Sequence, residues 1–383
     1  MYFRTKNHKI LLGVLLLMGT VLLPNLVQNT QSKEKSCQWQ MKWKGNQLVV
    51  EDSKISVIQA QFTDAQTFSE DLAAVKSKTI QKWGYIDSKG KQAIAFQFEQ
   101  VWHFNEGLAG AVKELPKNKE EEAELGFIDR TGKFQIEPRF STLATLNVFF
   151  SEGLMYIPDL QAFIDKTGKT VLKVPAEIYD PILFSEGLSL TRDMNNTDEI
   201  LFGYINKQGE LIGGYQWETH GRFWDGLGAV RKNEKWGYID KTGKIAIPLQ
   251  YLEVYDFHEG IAAVKPEGSE TFGFINKKGE MIIPPQFSNL FYFGKQKIAG
   301  VKNGKTIVTD LKGKPLFEGT WQKLTPFVNG VALYKKNDLW GFLDENGKEV
   351  TEPMFESLEH GEKNRYLFKK NELFGYIIGD LCK

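Results

Sequence analysis

One phrase recurs along this chain, and it constrains the fold more than any single composition figure. Its clearest copy is Gly237-Tyr238-Ile239-Asp240-Lys241-Thr242-Gly243-Lys244. It returns at Gly84-Tyr85-Ile86-Asp87 with Gly90, and at Gly126-Phe127-Ile128-Asp129 with Gly132. Further copies are Phe163-Ile164-Asp165 with Gly168, Gly203-Tyr204-Ile205-Asn206 with Gly209, Gly273-Phe274-Ile275-Asn276 with Gly279, and Gly341-Phe342-Leu343-Asp344 with Gly347. A worn copy sits at Val308-Thr309-Asp310 with Gly313. A truncated one, Gly375-Tyr376-Ile377, ends the run, and Leu48-Val49-Val50-Glu51 fits as a divergent first copy. The result is about ten units, spaced by roughly 34 to 42 residues, the signature of a solenoid, propeller or open array. The 383 residues therefore do not read as two or three ordinary domains.

Each unit has its own local logic. A strand such as Leu72-Ala73-Ala74-Val75-Lys76 or Gly260-Ile261-Ala262-Ala263-Val264-Lys265 precedes a second one, Trp236-Gly237-Tyr238-Ile239-Asp240. Asx-x-x-Gly then marks a hairpin: the Asx side chain bonds the turn backbone and glycine accepts positive φ. A third strand, Ile245-Ala246-Ile247, stops at Pro248. Short strands with closely spaced turns predict an all-β tandem array of three-stranded meanders, propeller-like or open and superhelical, preceded by an N-terminal apolar helix. The connector between units pairs a large apolar residue with a Phe six positions on: Phe62/Phe68, Phe98/Phe104, Ile178/Phe184, Trp217/Phe223, Tyr251/Phe257, Phe287/Phe293 and Trp321/Phe327. An even spacing puts both on one side of an extended segment, so these rings are expected to glue neighbouring units. That use accounts for many of the 27 Phe, 13 Tyr and 9 Trp.

Lys82-Trp83-Gly84-Tyr85-Ile86-Asp87 and its twin Lys235-Trp236-Gly237-Tyr238-Ile239-Asp240 resemble the WG (or KWG) β-repeats of bacterial proteins. Ser151-Glu152-Gly153-Leu154 and Ser185-Glu186-Gly187-Leu188 fit the same pattern, and the resemblance spans about residues 38–381. The full Trp-Gly survives at Trp83, Trp236 and Trp340. The resemblance implies a repeat architecture and interaction-type biology. It supplies no catalytic residues and no cofactor.

The N-terminus reads as an address. Arg4, Lys6, His8 and Lys9 precede an apolar run from Ile10 to Val27, the order of a secretory signal. The run is also close to the minimum for a spanning helix, so residues 1–36 are expected to be either a cleaved signal or a membrane anchor with a short linker. Residues 37–383 then form the repeat domain, outside the cytoplasm. The two cysteines, Cys37 and Cys382, bracket that domain, and an exported protein can oxidise them. They are read either as a disulfide that latches the ends of a ring or as two unpaired or intermolecular thiols. Lys+Arg and Asp+Glu are each 48, so no phosphate-binding field is built in and nucleic acid is not an expected partner.

Asp87, Asp129, Asp165, Asp240 and Asp344 recur in phase and are read as turn caps, without the alternating acids of a calcium loop. Glu106, Glu152, Glu186 and Glu259 each precede Gly before a strand and are read as structural. Gly304-Lys305-Thr306 ends like a phosphate loop, but Ala299 stands where its first glycine belongs. No zinc spacing is present among the His and Cys, and no metal is expected. Trp102, His103, His220, Trp224, Tyr255, His258 and Tyr292 all fall near the connector anchors. They are the candidate ridge for stacking a glycan or for a protein hot spot, weighed against plain core packing. Insertions at Glu114 to Leu125, Asp193 to Ile200 and Pro266 to Thr271 share one point of the repeat and should project from one edge. The expected function is a non-catalytic binding or scaffold module for protein or glycan of the cell envelope. The alternative is a glycan hydrolase with two acids roughly 5–10 Å apart.

Overall fold

A computed structural model describes residues 40–379 apart from 53, 114–122, 142–147, 175–177, 180–182, 194–199 and 295. For residues 178–179 and 292–294 only the backbone is described. The apolar run at 10–27 and both cysteines, Cys37 and Cys382, lie outside the described residues. Among those residues no helix is long and apolar enough to cross a membrane.

The repeat unit is a four-stranded antiparallel meander. In the first unit a two-residue inner strand, Asp64–Ala65, precedes Ala73–Lys76, Trp83–Ile86 and the outer strand Gln92–Phe98, each bonded to the next. The same order returns at 100–141, 178–217 and 289–319. Two further units between 219 and 287 share the long strand Ile245–Val254, which is outer strand to one and inner strand to the next. At 155–173 three strands are described, and at 323–344 three strands are completed by the bridges Trp340↔Phe355 and Leu343↔Glu349. The last unit consists of Ser357–His360, Arg365–Lys370 and Leu373–Ile378, with Ser56–Phe62 as its outer strand.

Three sequence expectations are thereby corrected. The described residues hold nine units rather than about ten, and where the inner strand is described the unit has four strands rather than three, because part of the connector pairs as a strand that is mostly too short to show alternation. Residues 48–51 are not a repeat copy. They belong to a separate hairpin, Met41–Lys44 with Gln47–Val50. That hairpin covers the edge of Ser56–Phe62: the Gln59 amide donates to the Leu48 carbonyl at 3.0 Å and accepts from its N–H at 2.9 Å. The copy at Gly375 is not truncated, since Val57 pairs with Ile377 and Ile58 with Tyr376. The array thus closes on itself as a propeller-like ring of sheets.

The glycine of Trp-Gly follows from this geometry. Trp236 pairs with Tyr251 and Tyr238 with Ile247, so the outer strand bulges over Gly237. A Cβ there would lie 2.6 Å from the Ile247 carbonyl oxygen. Gly84, Gly126 and Gly375 face Ile94, Ile136 and Ile58 in the same way. The preceding position tolerates Trp83, Leu125, Phe202 or Phe272 because it only fills volume. This explains why the glycine outlasts the tryptophan along the chain.

Units are joined by rings. In the first five units the third-strand aromatic meets the anchor Phe of the next: Tyr85 with Phe104 at 4.9 Å, Phe127 with Phe150 at 5.2 Å, Phe163 with Phe184 at 4.8 Å, Tyr204 with Phe223 at 4.9 Å, and Tyr238 with Phe257 at 4.7 Å between ring centroids. Tyr376 meets Phe68 at 4.9 Å and so repeats the contact across the closure. Where the third-strand residue is Tyr, its hydroxyl donates to a carbonyl of the next inner strand: Tyr85 to Trp102, Tyr204 to Gly221, Tyr238 to Tyr255, and Tyr376 to Gln66, at 2.6–2.8 Å. Burial pushes these four phenols well above the ordinary tyrosine range, so they remain donors.

Gly237→Ala should therefore destabilise the protein by about 1–3 kcal/mol through overpacking against the outer strand. Urea unfolding of the two proteins measures it. An unchanged midpoint would contradict this reading of the glycine.

Candidate functional site

Most polar residues that repeat are held by the frame. In the third-to-outer turns Asp129 accepts from Thr131 N at 2.8 Å, Thr131 Oγ1 at 2.6 Å and Lys133 N at 3.2 Å. Asp165 and Asp240 do the same with Thr167 and Thr242. The threonine hydroxyls hold these three carboxyls below the usual aspartate range. Asp87 and Asp344 accept two backbone N–H groups each. The turn-cap reading of all five is what the geometry shows.

The acids of the inner turns link one unit to the next. Each sits at positive φ, as Glu106 does at 52°. Its carboxylate accepts from the turn N–H of the following unit: Glu70 from Gly107, Glu106 from Gly153, Glu152 from Gly187, Glu186 from Gly226 and Asp225 from Gly260, at 2.8–3.2 Å. Glu259 accepts from Gln296 N at 2.8 Å, and Glu362 from Glu70 N at 2.7 Å. Lys207 and Lys241 stand 3.0 Å from Glu152 and Glu186. In the seventh and eighth units the signs reverse, and Lys297 stands 3.6 Å from Glu345. Asp71 pairs with Lys363 and Arg365 across the closure, and those cations hold its carboxyl low. The hairpin Lys302–Lys305 turns at Asn303 and Gly304, both at positive φ, so the phosphate-loop look of Gly304-Lys305-Thr306 is a strand turn.

The residues flanking each anchor Phe are the ones the frame leaves to vary. Before the anchor stand Thr67, His103, Phe149, Leu183, Arg222 and Asp256; after it stand Ser69, Asn105, Ser151, Ser185, Trp224 and His258. Three of the serines serve the frame: Ser69, Ser151 and Ser185 donate to the carbonyls of Phe104, Phe184 and Phe223 at 2.6–2.7 Å. The fifth and sixth units carry Trp224 and His258 at that position, and their rings meet at 5.5 Å with a 46° tilt. Trp224 is 41% exposed.

The remaining ridge candidates are dispersed. Trp102 is half-buried and packs against a core that holds Leu125 and Val148. His103 lies 5.7 Å from Phe149, and burial lowers its basicity while Glu362 opposes that shift. His220 lies 4.6 Å from Phe202 between the fourth and fifth units. Burial, with Arg222 nearby, pushes its pKa down to about 4. Tyr255 is exposed and meets Phe272 edge-on at 5.5 Å. Tyr292 pairs by backbone with Ala299, and its side chain lies outside the described set. Of the seven, only Trp224 and His258 meet in a described ring contact. Sequence reading passed over Arg222 and Asp256, although their position one residue before an anchor Phe was there to see. Asp256 is half-buried, its acidity reduced by burial against the pull of His258 and Arg222. Of the three insertions, Pro266–Thr271 is described; it joins second and third strands as expected, and Glu267 reaches Lys235 of the preceding unit at 2.8 Å.

A pH dependence follows for His220. Its pKa is 6.5 when unperturbed and about 4 in the fold, so protonation favours the unfolded chain. Its contribution, at most about 3 kcal/mol, is complete above pH 6.5, falls as the pH drops and levels off below pH 4. His220→Leu should lose less stability than the parent between pH 7 and pH 5 in urea unfolding. Equal losses would remove the residue from the acid response.

The wider similarities concern the fold. A crystal structure of a eukaryotic initiation factor matches 84% of this chain and 91% of its own, at 10% identity and a TM-score of 0.56. The WD40 β-propeller domain of Doa1 matches 85% and 97%, at 9% identity and a TM-score of 0.30. No curated protein matches the chain. The family model for the WG containing repeat matches residues 52–78, 83–114, 202–236, 236–268, 272–306, 310–340 and 340–374. With the Trp-Gly strand, its overlying outer strand and the closing unit all accounted for, the chain belongs to the WG β-repeat family.

Proposed function

We propose that the protein is a non-catalytic binding or scaffold module that is exported and works at the cell envelope on a protein or glycan partner. One observation carries the binding part. The recurring acids are engaged in turn caps and inter-unit bonds, whereas the positions flanking the anchor Phe change from unit to unit. A frame repeated nine times with a variable set on its inner strands is suited to recognition, as in other repeat arrays. The balanced charge gives nucleic acid no field to bind.

The basic residues before the apolar run 10–27 support export, either with removal of that segment or with anchoring through it. Protease added to spheroplasts with an intact inner membrane should digest the full-length protein while a cytoplasmic marker survives. Protection equal to that of the marker would contradict export and leave the binding reading to be judged on its own test.

A further inference from the structure

Two neighbouring units carry an unusual set of side chains around their anchors. In the first, third and fourth units a serine after the anchor Phe donates to the next anchor's carbonyl. Asn105, Gly294 and Val328 hold that position in the second, seventh and eighth units. In the fifth and sixth, side by side in the ring, Trp224 and His258 stand there, and their rings meet at a tilt. One residue before the same anchors stand Arg222 and Asp256. The charges of His258 and Arg222 both favour the Asp256 carboxylate against its burial. A Cβ on Gly221 would collide with the Asp256 carboxylate, which places that acid against the fifth unit's inner strand. Four substitutions on two neighbouring units thus bring together an exposed indole, an imidazole, a guanidinium and a half-buried carboxylate.

Packing accounts for only part of this set. The Trp224 indole leaves 41% of its surface in water, open to a ligand. The anchors Phe223 and Phe257 beneath are buried. The arrangement has the features of a ligand subsite: an aromatic platform with a few convergent polar groups.

We propose that Trp224, His258, Arg222 and Asp256 form a subsite for a neutral, β-linked oligosaccharide. A pyranose with equatorial substituents presents a flat face of C–H groups that matches the indole. Its vicinal hydroxyls donate to the Asp256 carboxylate and accept from Arg222, the mixed donor and acceptor set that a sugar needs. The partly desolvated carboxylate is then repaid by hydroxyl hydrogen bonds. This assignment rests on the reading of the protein as a binding module and names the ligand class for one part of it.

The test is isothermal titration of the full-length protein with cellohexaose and with chitohexaose. At least one should bind, and Trp224→Ala should weaken it about tenfold or more, as loss of an aromatic anchor does. Trp224→Phe should recover part of the loss, and Asp256→Asn should weaken binding severalfold. Far-ultraviolet circular dichroism and the urea midpoint of each variant show whether it folds. If neither sugar binds, the assignment is overturned while the module reading stands for a protein partner. If a sugar binds and folded Trp224→Ala binds it equally, the module reading survives and this subsite falls.

Discussion

A single four-stranded meander in this protein has two apolar faces and no means of covering either. The contact that resolves this is the third-strand aromatic of one unit set edge-on or tilted against the anchor Phe of the next. Each ring buried in this way contributes roughly 1.5–3 kcal/mol of transfer free energy, and edge-on geometry adds to it. Other features follow from the same contact. The tyrosine hydroxyl beyond the ring reaches a carbonyl in the adjoining inner strand and so sets how far neighbouring sheets can slide. The inner-turn carboxylate then spans to the next turn's N–H. One fixed relation between neighbours, repeated, turns a linear array into a ring.

Closure imposes a second constraint. The ninth unit needs an outer strand after Ile378, and Ser56–Phe62 provides it. Sharing one sheet between the two ends means that the first and last units cannot separate without breaking a ladder as well as a ring contact. The pairing of Asp71 with Lys363 and Arg365, and the bond from Glu70 N to Glu362, rebuild the inter-unit links at the seam with different residues. The reversed pair Lys297 and Glu345 shows the same tolerance: the frame asks for opposite signs at that junction and accepts either order.

What was legible in the sequence was local. Asp240 with Gly243, and its relatives, announce their turns because the carboxylate and the positive φ act within four residues. The anchor phenylalanines announced themselves by spacing, and the structure buries Phe68, Phe104, Phe184, Phe223, Phe257 and Phe327. The partner of Ser56–Phe62 was not legible, since its ladder joins residues more than three hundred positions apart. The inner strands were missed because two paired residues, such as Asp64–Ala65, carry no alternation. At the candidate site the residue types were visible but not which of them would meet. Trp102 and Trp224 are both tryptophans near an anchor, yet one packs into a core and the other faces water beside His258.

The central claim is that the ring is closed by the first long strand of the repeat domain acting as outer strand of the last unit. Amide hydrogen exchange tests it most directly. The account predicts that the Ser56–Phe62 amides that face Leu373–Ile378 are protected to a degree similar to Lys235–Asp240 in the middle of the array, and that they exchange together with Leu373–Ile378 as one unit. Rapid exchange of Ser56–Phe62 beside a slowly exchanging Leu373–Ile378 would show an open array and contradict the account.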